Sequence, residues 1–288
     1  MEPTQQNIIK IGQFNAVHKI NGSVVRKIPL DKSDAYNTRA VEIEAQVYRH
    51  LGRHKRIARC PQCREGCIDL QHEANGDLDS YLRNHCRSDR FRHRMARQTI
   101  EAVSIIHNKG VIPSDLSAQQ LSDFGSSLQG SDAIIMENAT HFLPRDEETP
   151  NTLQSDTFAL GSTVYEILVG NRPYEGLENE RIQRLYSNKT FPSVDQIRHV
   201  SWRTLILKCW MSEYKVTSDI QKDIPFPPLI SHIFSWHPLC RTSYLGQAFL
   251  GPIIPQKCIR AFTSCSCLSV SIMPLARIDN FRHGCGVV

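Results

Sequence analysis

The sequence lacks the long apolar segments that membrane-spanning and exported proteins carry. No run approaches the ~20 apolar residues that a transmembrane helix needs. Residues 1–6 are polar, where a signal peptide would lead into an apolar segment. We therefore expect an intracellular protein, cytoplasmic or nuclear, without membrane association. In such a compartment the ten cysteines would be mainly reduced thiols rather than a disulfide framework.

A strong charge of either sign is also missing. The 288 residues include 34 basic and 29 acidic side chains, which leaves a net charge of +5. We see no basic run with interleaved aromatic residues, so we expect no nucleic-acid partner. A composition of 40% hydrophobic and 22% charged residues is typical of a globular protein of one or two domains. It excludes collagen-like, coiled-coil and wholly disordered chains.

Carboxylates nearly disappear after residue 223. Residues 224–288 contain a single acidic side chain, Asp279, but seven of the fifteen prolines and five of the ten cysteines. They show no sustained period of 3.6 or 2. We interpret this segment as an irregular, poorly ordered tail, or as sequence never selected to fold, such as read-through of non-coding sequence or a shifted frame. We assign it no function.

Before this tail, predicted strands come first and predicted helices follow. Residues 8–28 read as strands, with a hairpin turn at Asn21–Gly22 and an end at Pro29. Helices are predicted over 39–51, 91–108, from an N-cap at Ser155 to about Gly170, 177–187 and 200–212. This order predicts an α+β, two-lobed layout.

Short motifs follow each other in a fixed order along the same residues. A predicted strand ends near Lys27, a predicted helix presents Glu44, and Asp115 lies in a loop. Asp123-Phe124-Gly125 and then Ser155-Asp156-Thr157-Phe158-Ala159-Leu160-Gly161 come after it. Each motif alone is weak, but order, spacing and expected secondary structure agree. Over about residues 8–223 the chain resembles the eukaryotic protein kinase family, more narrowly the divergent kinase-like proteins of filamentous fungi.

The resemblance implies a two-lobed protein-kinase-like fold that binds ATP and Mg²⁺. Residues 8–75 would form a small β-rich N-lobe, and residues 76–223 a larger helical C-lobe. In the family the strand lysine, here Lys27, holds the α and β phosphates and pairs with the helix glutamate, here Glu44. An ordinary surface ion pair is the alternative interpretation of these two residues.

The same resemblance assigns the remaining site residues. Asp115 would be the catalytic base that accepts the proton of the substrate hydroxyl, unless it is only a turn residue. Asp123 and Gln120 would bind Mg²⁺, unless Asp123 is only a structural cap or turn residue and Gln120 has no role. Backbone groups of about Gln71 and Glu73, in a hinge over 70–78, would pair with adenine. Further candidates are Asp77 or Asp79 at the ribose and Gly12 in the glycine-rich loop.

Several positions depart from the family pattern. Replacements fall in the glycine-rich loop, the His-Arg-Asp triplet and the Ala-Pro-Glu element, where the chain has Lys10, Asn15, Ser114 and Arg145. Only Leu121 and Ser122 separate Gln120 from Asp123, where the family has a two-stranded hairpin. Two functions follow: a kinase acting on protein Ser, Thr or Tyr hydroxyls, or a catalytically weak or dead pseudokinase that serves as a nucleotide- or protein-binding scaffold. A third possibility is an incomplete kinase that does not fold stably.

Two further features have plain interpretations. His107 is expected to pack and to form hydrogen bonds rather than to catalyse. Cys60-Pro61-Gln62-Cys63, with Cys67 nearby, suggests zinc, but no second cysteine pair stands at zinc-finger spacing. We therefore interpret these cysteines as ordinary thiols.

Overall fold

The computed structural model describes residues 7–73, 75–85, 87–116, 137–146 and 149–225. All of them belong to one compact unit of the chain. An antiparallel sheet forms first and helices follow, which confirms the predicted α+β, kinase-like arrangement. The boundary between lobes at residues 75 and 76 stays a prediction. Of the predicted tail, residues 226–288 lie outside the described part of the chain.

The sheet has five antiparallel strands in the order β1-β2-β3-β5-β4. The strands are β1 Ile8–Ile11, β2 Asn15–Lys19, β3 Val24–Pro29, β4 Gln62–Arg64 and β5 Cys67–Gln71. The predicted hairpin joins β2 to β3, and the Asn21 side chain accepts hydrogen bonds from the N–H groups of Ser23 and Val24 at 2.8 and 2.9 Å. This local bonding stabilises the turn and so sets the register of the two strands.

Helix α1, Ala35–Leu51, packs against this sheet. Its N-cap is Asp34, whose carboxylate accepts the N–H groups of the first turn, so the helix begins earlier than predicted. The predicted stripe of Ile43, Val47 and Leu51 is buried in a cluster with strand residues. The apolar period therefore identified the correct face of this helix.

The helical region begins at α2 and contains a second apolar core. Its elements are α2 Leu78–Asn84, α3 Asp89–Asn108, a 3₁₀ turn Ala139–His141, α4 Leu153–Val169, α5 Asn179–Ser187, α6 Val200–Trp210 and α7 Thr217–Asp223. The short helices α2 and α7 were not predicted. None of the helices in the described ranges has the length and apolar character needed to cross a membrane.

Helix α4 lies at the centre of this second core, with most of its side chains buried. The predicted N-cap, Ser155, is wrong: the N-cap is Thr152, and Ser155 is the third helical residue. The two side chains form a reciprocal capping box, which explains why Ser155 carried a capping signal. Gly170 ends the helix as predicted, in a left-handed conformation with φ 96°.

Helices α4 and α6 approach each other at a glycine. A Cβ atom on Gly161 would lie 2.5 Å from the Cβ atom of Cys209, so any side chain there would separate the helices. Next to this contact the Trp210 indole donates a hydrogen bond to the Ser162 hydroxyl at 3.0 Å. Close contact at Gly161 thus positions α4, which carries residues that support the candidate site.

Candidate functional site

The site is built around an ion pair between the sheet and α1. Lys27 lies on β3, between Val17 of β2 and Ile68 of β5. Glu44 lies on the buried face of α1, and its Oε2 atom is 2.6 Å from the Lys27 Nζ atom. The two side chains are only 3% and 1% exposed. The interpretation as a surface pair is therefore wrong, because both charges are removed from water.

The loop that carries Asp115 is held on both sides of that residue. Ser114 has φ 66°, and its N–H group donates to Asp156 Oδ1 of α4 at 3.0 Å. Leu116 is fully buried, and its carbonyl accepts a hydrogen bond from the Thr163 hydroxyl at 3.3 Å. A left-handed serine is strained and persists only where its surroundings hold it. Asp115, half-buried, is thus fixed by its neighbours.

Asp156 is the supporting residue whose role the sequence did not reveal. It is fully buried, and its Oδ2 atom is 2.9 Å from Nε2 of His107. The other ring nitrogen of His107 contacts the Thr217 hydroxyl on α7. Burial raises the pKa of Asp156, while His107 and the N–H group of Ser114 oppose that rise. His107 therefore packs and forms hydrogen bonds, as predicted, and connects the Asp115 loop to two helices.

At the predicted hinge, some backbone groups already form hydrogen bonds to other residues of the chain. The Gln71 N–H group donates to Arg59 O at 2.9 Å, and the Glu73 carbonyl accepts from Gly76 N–H at 3.1 Å. Asp77 is the N-cap of α2, where its carboxylate accepts the Ser80 N–H group. The adenine contacts of Gln71 and Glu73 stay a prediction, and they would have to use other backbone groups of these residues.

Two acidic side chains near the hinge differ from ordinary exposed carboxylates, one in its pKa and the other in its ion pairs. Burial raises the pKa of Glu73 to about 7, and its Oε1 atom has no hydrogen-bond partner among the described residues. Asp79 is buried and lies 2.6 Å from Arg83 and 3.9 Å from Arg172. Of the two ribose candidates, Asp77 therefore serves as a helix cap and Asp79 forms ion pairs.

Gly12 lies in the short connection between β1 and β2. Its N–H group donates to Asn15 O at 2.8 Å, and a Cβ atom on Gly12 would lie 3.1 Å from Asn15 Oδ1. A hydrogen bond within the turn therefore joins its two ends. Asn15 stands where the family has a glycine, and its side chain fills the space beside Gly12.

Arg145, which stands where the family has a glutamate, forms an ion pair with an acidic side chain. Its guanidinium lies 2.7 Å from Glu137 and stacks on the Phe142 ring, 4.6 Å from the ring centroid. Burial raises the pKa of Glu137 to about 7, although Arg145 opposes the rise. This ion pair therefore joins residues that are close in the sequence. A positive charge stands at the position where the family has a glutamate carboxylate.

The predicted metal ligands, Gln120 and Asp123, lie outside the described residues, so their place relative to Lys27 stays a prediction. Within the ranges that the structure describes, no three His, Cys, Asp or Glu side chains form a group able to hold a metal ion. In that part of the chain Cys60, Cys63 and Cys67 form no disulfide, and their interpretation as ordinary thiols stays a prediction.

Comparison with known proteins finds similarity to the family that the motifs resemble. A family described as "Protein tyrosine and serine/threonine kinase" matches residues 145–222. The dual specificity protein kinase pyk3 of Dictyostelium discoideum is 25% identical over 128 residues, 41% of this chain and 10% of the relative. The NUAK family SNF1-like kinase 1 of Mus musculus is 24% identical over 207 residues, 59% of this chain and 31% of the relative.

A third relative extends these matches. The Aurora kinase of Schizosaccharomyces pombe is 28% identical over 197 residues, 58% of this chain and 54% of the relative. The chain therefore spans between a tenth and about half of the length of these three proteins. The narrower resemblance to proteins of filamentous fungi stays a prediction. By the family match over residues 145–222 and by the order of sheet and helices, the chain is similar to protein kinases.

Proposed function

We propose that this chain binds Mg-ATP and transfers the γ-phosphoryl group to a hydroxyl of a protein substrate. The observation that carries the proposal is the buried ion pair of Lys27 and Glu44. Removing two charges from water is costly, and an apolar pair of similar size would fill the same space at no such cost. A polyanionic ligand explains why a cation is kept at this position.

The described residues support a division of roles. Lys27 would donate hydrogen bonds to phosphate oxygens while Glu44 orients it. Asp115, fixed between a strained serine and a buried leucine, would accept the proton of the attacking hydroxyl. Mg-ATP, when bound, supplies the electrophilic phosphoryl group. Because this chemistry depends mainly on positioning and charge neutralisation, the supports of the Asp115 loop matter as much as Asp115 itself.

A pseudokinase is the second candidate, and specific departures favour it. Ser114 offers no charge to receive a phosphate, and Arg145 pairs with Glu137 instead of taking the part of a family glutamate. Only two residues separate Gln120 from Asp123. A displacement of reacting groups by ~1 Å costs about 100-fold in rate, so such changes are compatible with binding and incompatible with efficient turnover.

One experiment on the full-length chain separates these candidates. Thermal unfolding is followed with and without Mg-ATP, and phosphate transfer is measured on a mixture of Ser-, Thr- and Tyr-containing peptides. The test variant is Asp115→Asn, and the matched control is Asp146→Asn, an exposed aspartate of the described chain.

We expect Mg-ATP to raise the unfolding temperature of all three proteins, and Asp115→Asn to lower transfer by about 10²- to 10⁴-fold. If Mg-ATP stabilises the unsubstituted chain but that chain transfers no phosphate, the pseudokinase proposal is the one that remains. No response to Mg-ATP would reject both nucleotide-binding proposals, and the lack of a cooperative transition would indicate an incomplete kinase.

A further inference from the structure

We propose that Cys60 and Cys63 form a redox-active dithiol, which closes to an intramolecular disulfide by exchange with a small anionic disulfide such as oxidised glutathione. The proposal concerns a site of covalent modification and does not depend on phosphoryl transfer. It rests on the distance between the two sulfur atoms, on their shared groove and on the charge around that groove.

The two thiols already face each other. Cys60 precedes β4, Cys63 is its central residue, and their Sγ atoms are 2.6 Å apart. The two sulfur atoms are therefore in direct contact, as the closing of a disulfide requires. Pro61 restricts the backbone between them, and β4 is paired with β5 through Cys63 and Ile68. The fold therefore holds the two cysteine side chains close to each other.

The dithiol is also accessible to a small reagent. Both cysteines are half-buried and line a surface groove of about 560 Å³ between the end of α1 and β4. The same groove is lined by exposed cations, among them Arg53, Lys55 and Arg59. Positive charge of this kind attracts an anionic disulfide toward the sulfur atoms. The shape and charge of the groove thus match the co-reactant that the chemistry requires.

Other cysteines provide an internal comparison. Cys209 is fully buried between α4 and α6, where no reagent reaches it. Cys67 lies on β5 in the same hairpin and is half-buried like the pair, but no other sulfur atom contacts it among the described residues. Cys67 is therefore a matched control for exposure and location.

The proposed exchange proceeds in two steps that balance. The thiolate of Cys63 attacks one sulfur of glutathione disulfide, forming a mixed disulfide and releasing one glutathione thiolate. The sulfur of Cys60 then attacks Cys63, and the second glutathione leaves with the proton of Cys60. The protein loses two electrons and two protons, and one glutathione disulfide becomes two glutathione molecules.

The order of the steps follows from the surroundings of Cys60. Burial, the Cys63 sulfur and Glu44 all raise the pKa of the Cys60 thiol, which makes it a weak nucleophile at neutral pH. We therefore assign the first attack to Cys63 and the closing step, which is intramolecular, to Cys60.

The test uses the full-length chain, equilibrated with mixtures of reduced and oxidised glutathione, then alkylated and cleaved by trypsin. Cleavage after Arg59 and Arg64 places both cysteines on one short peptide, separate from Cys67. We expect this peptide to lose two hydrogens and to resist alkylation, with an equilibrium constant at least about tenfold above that of the chain unfolded in urea. Cys67 should stay open to alkylation.

Three variants sharpen the result. Cys60→Ser should stop at a glutathione adduct on Cys63, Cys63→Ser should give little adduct on Cys60, and Cys67→Ser should leave the disulfide unchanged. Equal equilibrium constants in folded and unfolded chains, or adducts on both cysteines without closure, would overturn the proposal. So would a stoichiometric zinc ion that protects these thiols in the purified chain.

Discussion

At the scale of single residues, the ion pair of Lys27 and Glu44 has the clearest energetic consequence. Replacing Lys27 by Met leaves the Glu44 carboxylate buried without its cation, so we expect a loss of roughly 3–5 kcal/mol in the free energy of unfolding. The double variant Lys27→Met with Glu44→Leu should recover part of that loss. Denaturant titration measures both. A loss below about 1 kcal/mol in the single variant would contradict the buried geometry.

A second prediction at this scale concerns Glu73 and pH. Its pKa is about 7 in the folded chain against an ordinary value of 4.5. Between these values the folded chain keeps a proton that the unfolded chain has lost. The stability that protonated Glu73 confers is therefore complete below about pH 4.5 and is lost as the pH rises through 7.

Glu73→Gln should remove this dependence. We expect the variant to resemble the unsubstituted chain near pH 4 and to be more stable at pH 8, by roughly 1 kcal/mol after allowance for solvent screening. The control is Glu65→Gln, an exposed glutamate of the sheet region, which should give no comparable gain. Unfolding curves at the two pH values measure the gain in stability. An equal gain at both would show that the charge of Glu73 is not the cause.

At the scale of elements, the contact between α4 and α6 limits what position 161 tolerates. Gly161→Ala places a methyl group 2.5 Å from Cys209 Cβ, so the helices must separate. We expect a loss of about 1–3 kcal/mol. Gly22→Ala, where the added atom meets nothing within 4 Å, is the matched control. Denaturation midpoints compare the two, and an unchanged midpoint for Gly161→Ala would disprove the tight packing.

At the scale of the whole described unit, the end of α3 joins the sheet region to the helical region. Ile106 and Val111 belong to the apolar cluster of the sheet, while Ile100 and Val103 belong to that of the helices. Lys109 adds a polar connection, because its ammonium group donates to Leu51 O at 2.8 Å. The two cores should therefore unfold together.

Ile106→Ala tests this coupling. Removing a fully buried isoleucine should cost about 2–5 kcal/mol and should lower protection in both regions. Hydrogen exchange of peptides from β3 and α4 measures the two regions separately. Loss of protection in β3 alone, with α4 unchanged, would show that the regions unfold independently.

The sequence by itself determined most of the element order and the resemblance to protein kinases. Apolar periodicity identified the inner face of α1, Asn21 and Gly22 identified the hairpin turn, and Gly170 identified the end of α4, because each signal depends on residues close together in the chain. Pairing of Lys27 with Glu44 followed from the family motif rather than from any local pattern.

Only the tertiary structure decided how deeply that pair is buried, that Asp156 holds the Asp115 loop through Ser114, and that Arg145 found a partner in Glu137. It also moved the start of α4 from Ser155 to Thr152 and brought two thiols together at a charged groove. The burial of Lys27 with Glu44 and the hydrogen bond of Ser114 to Asp156 depend on segments that are distant in the chain. The other contacts join residues that are close in sequence, but they depend on side-chain positions that the sequence pattern does not reveal. Their energies come from desolvation and close packing, which leave no periodic signature in the residues themselves.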